Sequence, residues 1–224
     1  MAEKRVARKL PEWMSKHTKV HAGNEKNEKK EPLVFPGVIK YCPTVDDMGL
    51  ACETLISQAE QKDELVLGLD AEWPVTQQGS GKVALIQVCC DETTCYLFHV
   101  SCMRSFPKIF KDLIKHPKVL LVGNCIKNDI WKLGKDFDFP VAKLIQSGRV
   151  IDLGELANEV LLCAQTWSLD RLALHLLSVE IDKSASVRMS RWDLELSYDQ
   201  QLYAATDAYI SLIIYNKLKY KSTD

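Results

Sequence analysis

The 224-residue chain lacks an excess of charge of either sign: 29 Lys and Arg stand against 30 Asp and Glu, a formal net charge of -1. That balance excludes a protein that coats long polyanions through a broad basic face. It leaves room for one that grips a few phosphates, because clustered acids would cancel local lysines and arginines. No C-x-x-C spacing occurs among the eight cysteines, of which Cys89 and Cys90 are neighbours, so no zinc site is expected. Reduced, structural thiols in an intracellular protein are the natural reading. No apolar run approaches a membrane span, and "MAEKRVARKLPEW" has no apolar core of signal-peptide length, so no membrane association is expected. No G-x-x-x-x-G-K-[ST] loop is present, which excludes the phosphate cradle of an ATP-driven motor within this chain. What the chain does have is 46% apolar residues, enough for one domain of ordinary size.

Residues 1–32 differ from the rest. Nine Lys/Arg against five Asp/Glu give this stretch a net of +4, and "NEKNEKKE" is of low complexity. It reads as a disordered basic arm, and residues 33–224 as the globular domain. Within the arm, "ARKLPEWM" gathers Arg8, Lys9, Leu10, Pro11, Trp13 and Met14, a set that so short a segment cannot bury in itself. In the globular part the pattern predicts a strand near 37–41 and a helix near 45–61. Strands at about 65–71, 82–90 and 94–99 follow, joined by turn-like segments such as "TQQGSG". Helix 107–115, strand 118–123, helix 126–137, strand 148–151, helices 152–160 and 168–177, and a last helix at 198–219 complete the pattern. Residues 184–197 read as a loop. Hairpin-joined strands followed by strand–helix alternation imply an α/β fold with a mixed sheet flanked by helices. His99 and His175, each in an apolar run, are expected to be satisfied core or interface residues.

Four acids do not belong where they stand. In "VLGLDAEWP" side chains alternate, so Leu67, Leu69, Ala71 and Trp73 share one strand face while Asp70 and Glu72 share the other. Paired carboxylates in an apolar strand are costly through desolvation and mutual repulsion. In the last helix Tyr203, Asp207, Ile210 and Ile214 form one stripe, interrupted by Asp207. Asp129 edges the stripe Ile126–Ile130–Leu133–Phe137 near a helix start, where the helix dipole favours an acid anyway. Each acid alone has a structural explanation; together they have no comparable set of buried cations. Divalent Mg²⁺ or Mn²⁺ is the natural compensation. Two such ions roughly 3.5–4 Å apart can activate a water and stabilise an oxygen leaving phosphorus. Tyr203, one turn before Asp207, places a hydroxyl where it could orient that water.

Asp-x-Glu on a strand, a mid-chain Asp and Tyr-x-x-x-Asp on a late helix resemble the DEDDy class of 3′→5′ exonucleases. "GKVALIQVC", "CYLFHVSCM", "QTWSLDRLALHLL" and "LYAATDAYISLIIY" extend the likeness, from about residue 33 to 220, to the Werner-type exonuclease domains of that RNase D-like family. The resemblance implies an RNase H-like (DnaQ-like) fold and release of nucleoside 5′-monophosphates from 3′ ends, chiefly recessed ends of DNA duplexes, in repair or replication. It implies that Asp70, Glu72 and Asp207 hold the first ion, that Asp70 bridges to the second, that Asp129 reaches the second mainly through water, and that Tyr203 hydrogen-bonds the nucleophile. Two positions depart from the pattern: Cys125 stands where many relatives carry Asn, and Ala185 where Werner-like members carry a basic residue, although Lys183, Arg188 and Trp192 fit. Both departures bear on substrate affinity more than on chemistry.

Trp73 and Trp131 could stack on a terminal base or sugar, Trp73 being the more plausible core residue and Trp131, at a helix start, the better substrate candidate. Arg188, Lys183 and Lys82 are candidate phosphate contacts, with a solvated surface as the alternative for all three. The family likeness further implies a nuclear location, a separate helicase as a possible partner, and binding of the Ku heterodimer by the arm motif through Arg8, Lys9, Pro11 and Trp13. Two rival readings share the site: an RNase D-like RNA 3′ exonuclease, and a non-catalytic nucleic-acid-binding module that kept the fold.

Overall fold

The computed structural model describes residues 32–222 apart from Gln78 and Lys183. The arm motif with Arg8, Lys9, Pro11 and Trp13, and the candidate Lys183, therefore lie outside the described residues. Six strands form one mixed sheet in the order β1 (Val38–Cys42), β6 (Thr94–Phe98), β5 (Leu85–Cys89), β2 (Leu65–Glu72), β7 (Val119–Gly123) and β8 (Val150–Asp152). β2, β5 and β6 run antiparallel in turn, while β1 lies parallel to β6 and β2, β7 and β8 are mutually parallel. A two-residue-per-strand hairpin, β3 (Val75–Thr76) with β4 (Gly79–Ser80), stands apart from the sheet. The helices are α1 (Val45–Glu60), α2 (Lys108–Lys115), α3 (Ile126–Asp136), α4 (Ala142–Gln146), α5 (Leu153–Leu161), α6 (Leu169–Leu177), α7 (Ala185–Arg188) and α8 (Tyr198–Lys221). No helix among the described residues is long and apolar enough to cross a membrane.

The alternation of β2 divides the molecule. Leu67, Leu69 and Ala71 are buried in one core with Met48 and Leu55 of α1, Phe110 and Leu113 of α2, and Ile126 and Ile130 of α3. The opposite face of the strand, carrying Gly68, Asp70 and Glu72, meets α8, which crosses β2, β5, β6 and β7. α8 begins at a capping box in which the Ser197 hydroxyl accepts from the Gln200 amide and the Gln200 side chain accepts from Ser197 N. Its inner face is built of small residues, with Ala204, Ala205 and Ala208 fully buried, so the helix backbone comes close to the sheet. Gly68 shows how close: a Cβ built there would sit 2.1 Å from the Ala208 carbonyl oxygen and 3.0 Å from the Leu212 nitrogen.

Gly68→Ala is therefore expected to push α8 off the sheet. Its cost should be at least the ~1–3 kcal/mol of ordinary overpacking, because the clash is with backbone. Activity should fall with it, since Asp207 rides on the displaced helix. Urea denaturation checks the first effect, and a loss below about 0.5 kcal/mol would contradict this account of the α8–β2 contact.

The expected mixed sheet and helical flanks are present, and most element boundaries agree with the sequence pattern within a few residues. Two short helices were not expected: α4, and α7 within the stretch read as a loop. His99 is fully buried with partners on both ring nitrogens. His175 instead is exposed at the end of α6, its ring 5.3 Å from that of Trp167.

Candidate active site

The functional side chains are delivered by one strand and two helices. Asp70 and Glu72 project from the end of β2, Asp207 from the buried side of α8 and Asp129 from the first turn of α3. Carboxylate oxygens of Asp70, Glu72 and Asp207 all lie within 4.8 Å of one another. Asp129 is outside that trio but lines the same cleft, of about 530 Å³, together with Tyr203 and Arg188.

The electrostatics of the cleft are those of too much negative charge in too little water. Burial pushes the Asp70 carboxyl up to about 6, against hydrogen bonds from the Ala71 backbone and Gln87 and the charge of Arg188, which favour ionisation. Asp129 is pushed up to about 9 by burial first, then by the neighbouring Asp70 and Asp152. Glu72 is raised by burial and by the charges of Asp70 and Asp207, and Asp207 by burial and Asp70. Among the described residues Arg188 from α7 is the cation that offsets Asp70, Glu72 and Asp207, and one guanidinium does not balance three carboxylates. Hard oxygen donors crowded in this way fit a divalent cation, so Asp70, Glu72 and Asp207 would hold one such ion, with Asp129 available to a second. When bound, the ions supply Lewis-acid stabilisation of phosphate oxygens and a more acidic water.

The same charges set the stability of the metal-free protein. Because Asp70 and Asp129 hold protons in the fold that the unfolded chain releases near pH 4, the native state binds more protons than the unfolded state above that value. Stability in EDTA should thus fall as pH rises through 6 and towards 9. Added Mg²⁺ should raise the melting temperature more at pH 8 than at pH 5, since it replaces those protons. Thermal melts across that range check both signs, and a pH-independent melting temperature in EDTA would contradict the charge-crowding account.

Tyr203 is half-buried one turn before Asp207 on α8, and its nearby hydroxyl favours ionisation of the Asp207 carboxylate. Burial, then the charges of Asp207 and Glu72, raise its pKa above the ordinary phenol value. The hydroxyl stays protonated at neutral pH, so it could hold and orient a water but not deprotonate it. Its ring is flanked by fully buried Trp192 at 6.2 Å between centroids. The Trp192 indole N–H in turn donates to the Arg188 carbonyl at 3.1 Å, tying α7 down beside the cleft.

Other expected contacts fall elsewhere. Trp131, 53% exposed, does not line the carboxylate cleft; it borders a separate depression with Lys82, Ser80, Gly81, Lys132 and Lys135. The helical period explains this, because two positions after Asp129 α3 has turned its side chain away from the cleft. Trp73 lies just past the end of β2, packs against the core and also lines the cleft, with Lys132 Nζ 5.0 Å from its ring centre. Lys132 also donates to the Gly81 carbonyl at 2.7 Å and pairs with Asp136 at 3.0 Å, clamping the β3–β4 hairpin to α3.

Two residues that sequence reasoning passed over belong to the site. Gln87, fully buried on β5, sits in register opposite Asp70 and donates to its Oδ2 at 3.4 Å. The signal was a polar residue inside the apolar run "LIQVC". Asn124 also lines the cleft, and its Oδ1 is buried without a hydrogen-bond donor among the described residues. It stands one position before Cys125, where an Asn was sought. Cys125 adopts the left-handed conformation, φ 57°, at the tight turn from β7 into α3.

A mixed sheet whose central strand and crossing helix bring acids into one cleft fits a hydrolase of phosphate esters, with the acids as a candidate divalent-metal site. Residues 48–222 match the family described as 3′-5′ exonuclease, and the chain belongs to that family. It is 40% identical over 224 residues to the bifunctional 3′-5′ exonuclease/ATP-dependent helicase WRN of Mus musculus, covering 95% of this chain and 15% of that protein. It is also 40% identical over 200 residues to a 3′-5′ exonuclease of Drosophila yakuba, covering 87% of this chain and 56% of the relative. The chain thus spans little more than half, or much less, of the length of these relatives. Among solved structures, the Aedes aegypti Nibbler EXO domain shares the fold with a TM-score of 0.71 at 22% identity, over 85% of this chain and 93% of that one.

Proposed function

We propose that this 3′-5′ exonuclease domain acts on DNA, removing nucleoside 5′-monophosphates from 3′ ends, recessed ends of duplexes above all, in repair or replication, with Mg²⁺ or Mn²⁺. The observation that carries the reading is the convergence of Asp70, Glu72 and Asp207 within 4.8 Å beside a protonated Tyr203. The water held by Tyr203 attacks the phosphorus of the last nucleotide. The bond from that phosphorus to the 3′ oxygen of the preceding nucleotide breaks, leaving a 5′-monophosphate and a new 3′ hydroxyl. Arg188, at the rim of the cleft, is placed to hold a non-bridging oxygen of that phosphate. Trp131 with Lys82 and Lys135 offers a stacking and phosphate surface for the strand outside the cleft.

The choice of DNA rests on the sequence resemblance to Werner-type exonuclease domains, and the same carboxylate site suits an RNA 3′ end equally. The experiment is a comparison of matched DNA and RNA primers on one template with Mg²⁺. Faster shortening of the DNA primer supports the proposal; faster shortening of the RNA primer establishes the RNase D-like alternative. The arm motif supports recruitment to broken DNA ends in the nucleus through Ku. A peptide of residues 1–24 titrated against Ku tests that role, with its Trp13→Ala counterpart as the control expected not to bind.

A further inference from the structure

We propose that His99, buried outside the cleft, is a positioning residue for Tyr203, acting through Trp192. The inference rests on the reading above, in which Tyr203 orients the attacking water.

His99 follows β6 and has no solvent exposure, yet both its ring nitrogens are engaged. Nε2 lies 2.9 Å from the Trp192 carbonyl oxygen, and Nδ1 lies 2.6 Å from the Tyr41 hydroxyl. A carbonyl can only accept, so Nε2 carries the proton and Nδ1 accepts from Tyr41. The Cys102 thiol also approaches Nδ1, at 3.3 Å. The groups around the ring therefore specify one neutral tautomer, and that tautomer donates to a single backbone atom ninety-three residues away.

That atom sits in a consequential place. Between α7 and α8 the chain has no regular helix or strand, so its course depends on individual bonds. Trp192 in this stretch makes three of the relevant contacts: its carbonyl accepts from His99, its indole N–H donates to Arg188, and its ring walls that of Tyr203. A second tether, Gln200 Nε2 to Ser190 Oγ at 2.8 Å, attaches the same stretch to α8 independently. Losing the His99 bond should therefore loosen the stretch without freeing it. A continuous path thus runs from β1 through Tyr41, His99 and Trp192 to the ring of Tyr203.

The test is a double-mutant cycle on single-turnover cleavage. His99→Phe keeps an aromatic ring but cannot donate, and it is expected to lower kcat about tenfold in the parent background. His99→Gln, whose amide N–H can reach the Trp192 carbonyl, is expected to keep at least about half of kcat. In a Tyr203→Phe background, His99→Phe should lower kcat less than about twofold, because the group it positions is already gone. An equal tenfold loss in both backgrounds, or parental kcat for His99→Phe, overturns the proposal. If Tyr203→Phe alone retains parental kcat, the Tyr203 reading itself fails and this proposal falls with it. Should His99→Phe not fold, Tyr41→Phe takes its place in the same cycle. Combined with Cys102→Ala, it removes both groups on Nδ1 and should lower kcat about threefold in the parent background and not in Tyr203→Phe; parental kcat for the pair overturns the proposal.

Discussion

Asp70→Ala and Glu72→Ala are each expected to abolish nucleotide release, while the metal-free variants should melt no lower than the parent protein. The two halves of this expected result come from one cause. The carboxylates end an otherwise apolar strand, within 4.8 Å of each other and of Asp207, and each is raised by burial. Such a group destabilises the empty site, because its charge is poorly solvated and repelled by its neighbours. Removing it takes away that cost together with a ligand for the cation that makes the arrangement useful. At neutral pH in EDTA the gain offsets the small cavity left by the truncated side chain. A residual activity above about a tenth of the parent would exclude these residues as metal ligands, and a lower melting temperature in EDTA would mean that they stabilise the fold instead.

Tyr203→Phe is the second large effect. The substitution keeps the ring, and with it the contact to Trp192, and deletes one oxygen. Substrate binding should be little changed, because the ring and its packing against Trp192 stay in place. Turnover should fall by roughly 10²–10⁴-fold, the range for groups that handle the reacting water. Steady-state kinetics separates the alternatives. A rise in KM at constant kcat would make Tyr203 a substrate or packing residue.

The catalytic core was legible because its signals are violations of periodicity. Asp70 and Glu72 break a strand, and Asp207 breaks a helical stripe that the structure buries. Neither pattern depends on tertiary detail. The antiparallel run of β2, β5 and β6 was equally readable, since the segments between those strands are too short for crossovers. Asp129 was harder: a first-turn acid is ordinary on dipole grounds, and only the fold shows it buried. Gln87 acquires meaning only from the β2–β5 register that sets it opposite Asp70. Trp131 shows the converse failure. Its nearness to Asp129 in sequence suggested a shared cleft, but the helical turn separates them. α7 escaped notice because four residues carry too little periodicity, and its position depends on the distant bonds of Trp192.

The most direct test of the central claim is the product pattern from a 5′-labelled recessed DNA primer incubated with the protein, in EDTA and then with excess Mg²⁺. The account predicts no cleavage in EDTA. With Mg²⁺ it predicts progressive shortening from the 3′ end, one nucleotide at a time, with 5′-monophosphates released and the reaction absent in Asp70→Ala. Cleavage that persists in EDTA, or internal cuts that leave no single-nucleotide ladder, would contradict it.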